Sequence, residues 1–341
     1  MKTLTVAVII LNRNGYENTF ECLKSLNSIQ TPSFKICVVD NGSRALEGDR
    51  IKDAYPNIHL IRLTENKGFA GGANTGINWA LQRGFDYIVI LNNDTVVERN
   101  WLESMMEGFK SGRADFASPL ILDYRNRDRI DSAGDVVLPD GSGLSLFRGK
   151  SFDFIKKKQR IFSACGAGSI YSRTCLERVM LPGSQFFSEK YFAYFEDIDL
   201  ALRLNMAGFR GVVFPEAKIY HKGGTTEGRD SSFQIFHTEK NRMLNMLLNF
   251  PLFLIPAGEI FYLIRGFLSI VLSFIGTPGK GTRYRRRYGL LAMLRILWQA
   301  RVWILVHLPE ILKEREFRKK QGWVSWKMLW FFHWNLTAAM K

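Results

Sequence analysis

The most informative segment of this chain is Tyr87-Ile88-Val89-Ile90-Leu91-Asn92-Asn93-Asp94. Its apolar part predicts a buried β-strand, and the polar triplet follows where that strand ends. In an open α/β sheet, ligands bind outside the carboxyl ends of the strands. Hard divalent cations take oxygen ligands, and Mg²⁺ is often held by one or two carboxylates together with substrate phosphates. The stretch therefore predicts a cation site, although an Asn-Asn-Asp triplet alone is also typical of an ordinary turn.

Composition narrows the classes of protein to which the chain can belong. With 341 residues, 46% of them hydrophobic, it can form a large α/β domain with an appendage, so disorder is not expected. The cysteines Cys22, Cys37, Cys165 and Cys175 lack C-x-x-C spacing. We therefore expect reduced, buried thiols of an intracellular protein, and neither a zinc site nor a redox centre. The apolar run Leu4–Leu11 is too short for a signal peptide and predicts a first strand.

Strand patterns alternate with helical patterns over the first 120 residues, which predicts a mostly parallel sheet. The expected strands are Thr5–Leu11, Lys35–Val39, Ile58–Leu63 and a fourth that ends before Asn92-Asn93-Asp94. One expected helix holds the apolar positions Phe20 to Ile29. A second begins at the glycine-rich Asn66–Asn74 and runs through Leu81, and a third covers Trp101–Phe109.

The middle of the chain is less regular. Residues 121–160 are polar and contain glycine, and we expect a long solvated loop or an irregular hairpin there. Order is expected to return at residues 161–172 and to continue with a helix over Glu196–Met206. A strand near Gly211–Phe214 and a loop that holds His221 follow.

The last part of the chain is basic and rich in tryptophan. Residues 278–341 hold 14 Lys/Arg, 3 Asp/Glu and six of the eight tryptophans, so they carry most of the net charge of +15. This combination favours an anionic membrane surface, and we expect no nucleic-acid partner. The apolar stretches Leu252–Ile275 and Leu290–Leu308 are interrupted by charges, which predicts helices that lie in the membrane interface. A helical hairpin in a protein core and a re-entrant pair remain the alternatives.

Three acidic sites follow one another along the chain: Asp40 after the second strand, Asp94 after the fourth, and Asp197 at a helix start. Each alone is typical of a cap or a turn. Together they match the needs of a nucleotide-sugar transferase. We expect Asp40 to bind base or ribose, Asp94 to hold the cation of the leaving diphosphate, and Asp197 to be the general base. Asp199 is expected to point to a different side of the helix.

Six motifs extend this ordered set over residues 1–240. They are Val6–Asn12, Val39–Ser43, Asn66–Asn74, Leu91–Thr95, Gly166–Gly168 and Phe195–Leu200. With them the sequence resembles glycosyltransferase family 2, and within it the rhamnosyltransferase-like branch. The resemblance implies a GT-A nucleotide-diphospho-sugar transferase fold, which is α/β with a Rossmann-like, mostly parallel sheet. It also implies an inverting single displacement and Mg²⁺ or Mn²⁺ as the cofactor.

The same resemblance assigns roles to single residues. The DXD-type metal motif of the family falls on Asn92-Asn93-Asp94, where Asn92 replaces the first acidic residue and leaves Asp94 as the main carboxylate. The Glu-Asp motif places the base at Asp197. Asn12, Asp40 and Asn93 fall on the donor-binding motifs.

Four further residues keep two interpretations each. His221 either completes the metal shell or is a surface histidine without a role. Gly71 and Gly72 either let the chain approach the nucleotide or form a tight turn before a helix. Asn74 either contacts the donor or caps that helix.

These expectations combine into one prediction. Residues 1–240 form a GT-A catalytic domain, with a nucleotide-sugar half over about 1–120 and an acceptor half over about 121–240. Residues 241–341 form a helical, membrane-associating region. The enzyme moves a sugar, rhamnose from dTDP-rhamnose first and a UDP-hexose or UDP-N-acetylhexosamine next, to a lipid-linked or cell-surface glycan at the cytoplasmic face of the cell membrane. A non-catalytic glycan- or nucleotide-binding protein of the same fold is the alternative.

Overall fold

A computed structural model describes residues 4–29, 32–44, 46–110, 112, 114–223, 230–274 and 280–334 of the chain. The chain divides into two compact units. The first comprises residues 1–135 and 145–226, and the second comprises residues 136–144 and 227–341. The functional boundary predicted near residue 240 stays a prediction.

The elements alternate between strand and helix in the first part of the chain and become helical toward its end. The strands are β1 (Val6–Asn12), β2 (Phe34–Asn41), β3 (His59–Leu63), β4 (Tyr87–Asn92), β5 (Thr95–Val97), β6 (Phe116–Asp123), β7 (Ile130–Ser132), β8 (Asp135–Val137), β9 (Gly143–Ser145), β10 (Gln159–Ile161), β11 (Gly168–Ser172) and β12 (Gly211–His221). The α-helices are α1 (Tyr16–Leu26), α2 (Glu47–Ala54), α3 (Gly68–Gln82), α4 (Trp101–Lys110), α5 (Arg173–Arg178), α6 (Glu196–Met206), α7 (Ser232–Asn249), α8 (Ile255–Phe274), α9 (Lys280–Val306) and α10 (Leu308–Lys320).

The sheet of the first unit follows the order β10-β12-β6-β11-β4-β1-β2-β3, with β5 paired to β12 and β7 to β6. Strands β3, β2, β1 and β4 pair in parallel, as do β6 and β12. Because β11 is antiparallel to both β4 and β6, those two sets run in the same direction. The mostly parallel sheet predicted from the sequence is therefore confirmed.

The apolar runs of β1, β2 and β4 form the centre of the core. Val8, Val38 and Ile90 are completely buried, as expected for parallel strands that are covered on both faces. The register places Asn12 opposite Asp40. It also places Leu11 of β1 opposite Asn92 of β4. The polar residues that end these strands therefore meet at one edge of the sheet.

The expectation of a long solvated loop or an irregular hairpin over residues 121–160 holds in part, because β8 and β9 pair in a two-stranded sheet, but the segment is not solvated throughout. This segment holds β7 to β10, and residues 130–142 are buried. The apolar run Val136-Val137-Leu138 explains part of the burial, because three consecutive apolar side chains favour removal from water. Polar side chains in the same segment are hydrogen-bonded, as Ser132 is to Asp135 at 3.0 Å.

The expectation of a loop at His221 is wrong. Strand β12 continues past the predicted end at Phe214 and has His221 as its last residue. It crosses an irregularity in its pairing with β6 between Phe214 and Lys218. Pro215 follows Phe214 directly, and a proline in a strand pattern normally marks an end or a bulge.

The second unit is mostly helical from residue 230 onward in the part of the chain that the structure describes. Its segments Leu252–Val271 and Arg286–Val306 are long and apolar enough to cross a membrane, with mean hydropathies of 1.6 and 1.5. Large apolar side chains of α8 and α9 are exposed rather than packed into a core. They are Ile260, Leu263, Ile264, Phe267, Ile270, Val271, Leu290, Leu291, Leu294, Trp298, Val302, Leu305 and Val306.

Replacing Gly76 by alanine tests the packing of α3 on the sheet. A Cβ at this position would lie 2.2 Å from Cγ2 of Ile9, which is closer than two carbon atoms pack. We expect Gly76→Ala to lower the free energy of unfolding by about 1–3 kcal/mol in urea titrations, the usual cost of an overpacked core. Gly266→Ala in α8 is the matched control, because a Cβ there meets nothing within 4 Å. Equal destabilisation by both substitutions would contradict this account.

Candidate active site

A hydrogen-bond network fixes the polar ends of β1 and β2. The Asn12 amide donates to Oδ1 of Asp40 at 3.1 Å, to Oγ of Ser43 at 3.1 Å and to Oε2 of Glu47 at 3.2 Å. Its oxygen accepts the hydroxyl of Thr19 at 2.8 Å. Asn12 and Asp40 are both buried, so the carboxylate is held in one orientation by its neighbours.

The same network reaches the end of β4. Nδ2 of Asn93 donates to Oγ1 of Thr19 at 3.0 Å, and Thr19 in turn donates to Asn12. Three of the residues predicted for donor binding, Asn12, Asp40 and Asn93, therefore belong to one connected set at one edge of the sheet.

Helix α3 supplies the glycines and Asn74. The helix begins at Gly68, so the alternatives of a tight turn at Gly71 and Gly72 and of a cap at Asn74 are wrong. A Cβ on Gly72 would lie 3.1 Å from Nδ2 of Asn41, which shows how closely α3 approaches the end of β2.

The Asn74 side chain is buried and bonded within the protein. Its oxygen accepts the backbone N–H groups of Phe186 and Phe187 at 2.9 Å each. Its Nδ2 donates to the carbonyl of Phe187 at 2.8 Å. In this structure Asn74 therefore holds the 186–187 segment against α3.

Backbone pairing places His221 beside Asp94. His221 is in register with Thr95 of β5, and the N–H of Lys222 donates to the carbonyl of Asp94 at 3.0 Å. As a result, Nε2 of His221 lies 3.3 Å from Oδ1 of Asp94. The two side chains are only 15% and 7% exposed, so this is a partly enclosed site rather than a solvated surface.

The second imidazole nitrogen of His221 faces another carboxylate. Nδ1 lies 2.8 Å from Oδ2 of Asp131 in β7. Burial lowers the pKa of His221, but the hydrogen bonds and charges of Asp131 and Asp94 outweigh burial and raise the pKa to about 9. When no cation is bound, the imidazole is therefore protonated on both nitrogens at neutral pH, and each nitrogen faces a carboxylate.

The Asp94–His221 pair fits a divalent cation by its chemistry. Carboxylate and imidazole are both ligands for divalent first-row metals, and carboxylate oxygen suits Mg²⁺ and Mn²⁺. Adjacent ligands at about 2.1 Å from one octahedral ion lie about 3 Å apart. The observed separation of 3.3 Å is close to that value.

Asp197 lies in a second cluster, in which Asp135 is buried and Asp197 and Cys165 are half-buried. Its Oδ2 accepts the N–H of Gly166 at 3.1 Å, and its ligand atoms lie within 4.8 Å of those of Asp135 and Cys165. Burial, assisted by the charge of Asp135, raises the pKa of Asp197 to about 7. A carboxyl group with such a pKa suits general-base chemistry near neutral pH.

This second cluster is a poor site for Mg²⁺ or Mn²⁺. Burial raises the pKa of the Cys165 thiol well above its usual value, and burial also raises the pKa of Asp135. A protonated thiol is not a metal ligand, and a thiolate is a soft ligand that prefers other metals. The cluster therefore fits proton transfer better than cation binding.

A short backbone path ties Asp197 to the edge of β4. Gly166, which binds Asp197, is followed by Ala167, whose carbonyl accepts the N–H of Asn92 at 3.0 Å. Asn92 stands two residues before Asp94. The structure thus brings the predicted base toward the strand end that carries the predicted metal ligand.

The chain that leads into α6 is strained. Phe192, Tyr194 and Phe195 have φ values of 64°, 69° and 64°, in the left-handed region that bulky residues rarely adopt. Strain of this kind is concentrated at functional sites, where the surrounding structure maintains it. It directly precedes Glu196, where the helix begins as the sequence predicts.

Sequence reasoning missed Asp131 and Asp135, which face His221 and Asp197. The sequence did indicate that they are buried, because they lie between an apolar residue, Ile130, and the apolar run Val136-Val137-Leu138. Acidic residues between apolar segments in a polar region indicate buried, partnered carboxylates rather than a solvated loop.

Comparison with known proteins finds glycosyltransferases. Residues 5–180 match the family described as Glycosyl transferase family 2. Low-salt glycan biosynthesis hexosyltransferase Agl10 of Haloferax volcanii is 23% identical over 282 residues, which are 79% of this chain and 85% of that protein. N-acetylglucosaminyl-diphospho-decaprenol L-rhamnosyltransferase of Mycobacterium tuberculosis is 25% identical over 241 residues, 61% of this chain and 73% of that protein.

A solved structure supports the fold. The structure of GalNAc-T7 with UDP, GalNAc and Mn²⁺ superposes with a TM-score of 0.57 at 16% identity. It covers 72% of this chain, and this chain spans about half of it, 48%. The predicted GT-A fold, with its Rossmann-like sheet, is confirmed.

Asp199 gives a test of which acidic residue of α6 is structural. It pairs with Arg203 at 2.9 Å, and both side chains are completely buried. We expect Asp199→Asn to lower the free energy of unfolding by about 3–5 kcal/mol, because it leaves a buried guanidinium without its counter-charge. Chemical denaturation measures this value. The matched control is Asp153→Asn at an exposed position, and an effect of Asp199→Asn no larger than that of the control would contradict the assignment.

Proposed function

The chain belongs to glycosyl transferase family 2, and we propose that it is an inverting transferase that moves a sugar from a nucleoside diphosphate to a glycan hydroxyl. The observation that carries this proposal is the half-buried carboxylate of Asp197. Its pKa is raised to about 7, and the Gly166 N–H holds it on a segment paired to the end of β4.

We assign the nucleoside to the edge formed by β1 and β2. Asp40 accepts hydrogen bonds from base or ribose, and Asn12 holds its carboxylate from the protein side, as the 3.1 Å hydrogen bond supports. Asn93 extends the same network toward the diphosphate. A fixed acceptor loses little conformational entropy when the donor binds.

Helix α3 shapes the donor site in this proposal. Gly71 and Gly72 leave room for the donor, since a side chain at Gly72 would crowd Asn41 at the end of β2 and one at Gly71 would crowd Lys67. Asn74 acts from behind, because its hydrogen bonds hold the 186–187 segment in place.

Asp94 and His221 would hold the cation, Mg²⁺ or Mn²⁺. When bound, such a cation neutralises the leaving diphosphate and acts as a Lewis acid. The imidazole would provide a second protein ligand and so compensate for Asn92 at the first position of the motif. The solved structure of the same fold with UDP and Mn²⁺ is in line with this assignment.

Asp197 acts as the general base. It takes the proton of the acceptor hydroxyl while that oxygen attacks the anomeric carbon from the face opposite the diphosphate. The bond between the anomeric carbon and the diphosphate oxygen breaks with its electron pair on the diphosphate. One displacement of this kind inverts the configuration at that carbon.

We propose rhamnose from dTDP-rhamnose as the first donor to test. The mycobacterial relative is named an L-rhamnosyltransferase, which supports this choice. The relative from Haloferax volcanii is named a hexosyltransferase, so a UDP-hexose or UDP-N-acetylhexosamine is the second choice.

We further propose a lipid-linked acceptor at the cytoplasmic face of the cell membrane. The mycobacterial relative's name includes a diphospho-decaprenol. Peripheral or monotopic association with an anionic membrane is supported by the exposed apolar side chains of α8 and α9. The exposed Trp326, Trp330 and Trp334 support it as well.

Release of nucleoside diphosphate from a panel of nucleotide sugars tests the function. The assay contains lipid extract as the acceptor pool and is run with Mn²⁺, with Mg²⁺ and with EDTA. We expect metal-dependent release from one donor. Asp197→Asn is expected to lower turnover by at least about 10²-fold, the lower end for loss of a general base, while nucleotide binding is retained.

Asp153→Asn, at an exposed position, is the control and keeps full turnover. A wild-type protein that binds nucleotide but releases none from any donor, with the acceptor pool verified, would favour a non-catalytic binding protein.

The pH dependence of kcat/KM adds a second readout to the same prediction. The base must be deprotonated, so the rate rises with pH through the raised pKa of Asp197, about 7. Asp135→Asn removes a neighbouring carboxylate and should shift this limb to lower pH. An unchanged limb in Asp135→Asn would contradict the assignment of Asp197.

Flotation with liposomes tests the membrane association. We expect the protein to float with anionic vesicles and less with neutral ones, because basic residues accompany the exposed tryptophans. Replacing Trp326, Trp330 and Trp334 together by alanine should reduce flotation. Leu46→Ala, which removes an equally exposed apolar side chain from the first unit, is the control. Equal flotation of both variants would contradict this association.

A further inference from the structure

Asp131 is a buried carboxylate to which neither the sequence motifs nor the comparisons give a role. It lies in β7, which pairs with β6 next to β12, and it is 8% exposed. Its Oδ2 is 2.8 Å from Nδ1 of His221. Its contact is therefore with the nitrogen that faces away from Asp94.

Backbone pairing with a strand on each side holds His221 in place. His221 is in register with Thr95 on one side and with Asp123 on the other. Two neighbouring strands therefore set the position of its Cα. Rotation of the ring is the remaining freedom, and the hydrogen bond to Asp131 limits that rotation.

A second contact fixes Asp131 itself. Arg148 places its guanidinium 3.2 Å from Oδ1 of Asp131, and its Nε donates to the Asp131 carbonyl at 3.0 Å. Oδ1 is thus bound by arginine while Oδ2 faces histidine. This arrangement gives the carboxylate one orientation.

A neutral imidazole has one N–H and one lone pair, and the group that accepts the N–H decides which nitrogen keeps the lone pair. We propose that Asp131 is a positioning residue that holds the His221 proton on Nδ1 and so presents the Nε2 lone pair to a divalent cation at Asp94. This inference rests on the proposed cation site. Partners of this kind are common behind metal-binding histidines, and their loss usually costs about 10–100-fold in metal affinity.

The alternative is that Asp131 binds the cation directly, and the geometry argues against it. Oδ2 of Asp131 is engaged by Nδ1, whereas Oδ1 of Asp94 lies 3.3 Å from Nε2 on the other side of the ring. The two carboxylates therefore face opposite nitrogens of one imidazole. Loss of a direct ligand would weaken cation binding even when His221 is absent, whereas loss of a positioning residue would not.

Titration of Mn²⁺ into the full chain, followed by the electron paramagnetic resonance signal of free Mn²⁺, measures the affinity without turnover. We expect Asp131→Asn to weaken binding by about tenfold or more. His221→Ala should weaken it at least as much, and Asp131→Asn added to His221→Ala should cost nothing further. Asp128→Asn removes the same charge at an exposed position of the same segment and should leave the affinity unchanged.

A pulsed measurement of the nitrogen coupling to bound Mn²⁺ adds a direct readout. The coupling should be present in the wild type, absent in His221→Ala and weakened in Asp131→Asn. Arg148→Met replaces an exposed side chain and should give a smaller loss of affinity in the same direction. It keeps the inference testable if Asp131→Asn does not fold.

The outcomes separate the inference from the proposed function. Loss of Mn²⁺ binding in Asp94→Asn together with unchanged affinity in Asp131→Asn would overturn the positioning role and leave the cation site intact. Additive losses in the double variant would also overturn it, because Asp131 would then act independently of His221. No Mn²⁺ binding by the wild type would overturn both the cation site and the inference.

Discussion

The candidate site depends on the parallel pairing of β1 with both β2 and β4. That pairing puts Asn12 opposite Asp40 and Leu11 opposite Asn92, so three strands end in polar residues at the same level. No single segment contains this arrangement. It arises because the apolar part of each strand is buried and fixes the register, and a shift of one residue would turn every side chain to the other face.

The buried charges of the site are arranged in partnered sets. Asp94 and Asp131 share the imidazole of His221, and Asp197 and Asp135 lie in one cluster where the pKa of each carboxyl group is raised. Isolated buried charges are costly, and each set lowers that cost by a different means. The first keeps a protonated imidazole between two carboxylates, and a cation bound at Asp94 would take the place of the proton on Nε2. The second raises the pKa of Asp197 to about 7, which suits a group that must accept a proton.

Local patterns in the sequence predict the parts of the fold that local interactions determine. The strands before Asp40 and Asp94 are apolar runs, and α6 begins at Glu196, where the helical pattern of apolar residues starts. Strands β7 and β8 are only three residues long, which is too short for a period to be visible. Strand β12 contains Pro215, and a proline normally ends a strand pattern. The sequence therefore did not predict that the strand continues to His221. Asp131 was missed for a different reason, because its partner His221 is 90 positions away along the chain and only the folded sheet brings the two together.

Anomalous diffraction from crystals grown with dTDP and Mn²⁺ would locate the cation and so test the proposed site at Asp94 and His221. We expect one anomalous peak within about 2–2.6 Å of both the Asp94 carboxylate and Nε2 of His221. A peak at the Asp135, Cys165 and Asp197 cluster instead, or nucleotide bound with no peak beside Asp94, would contradict the proposed site.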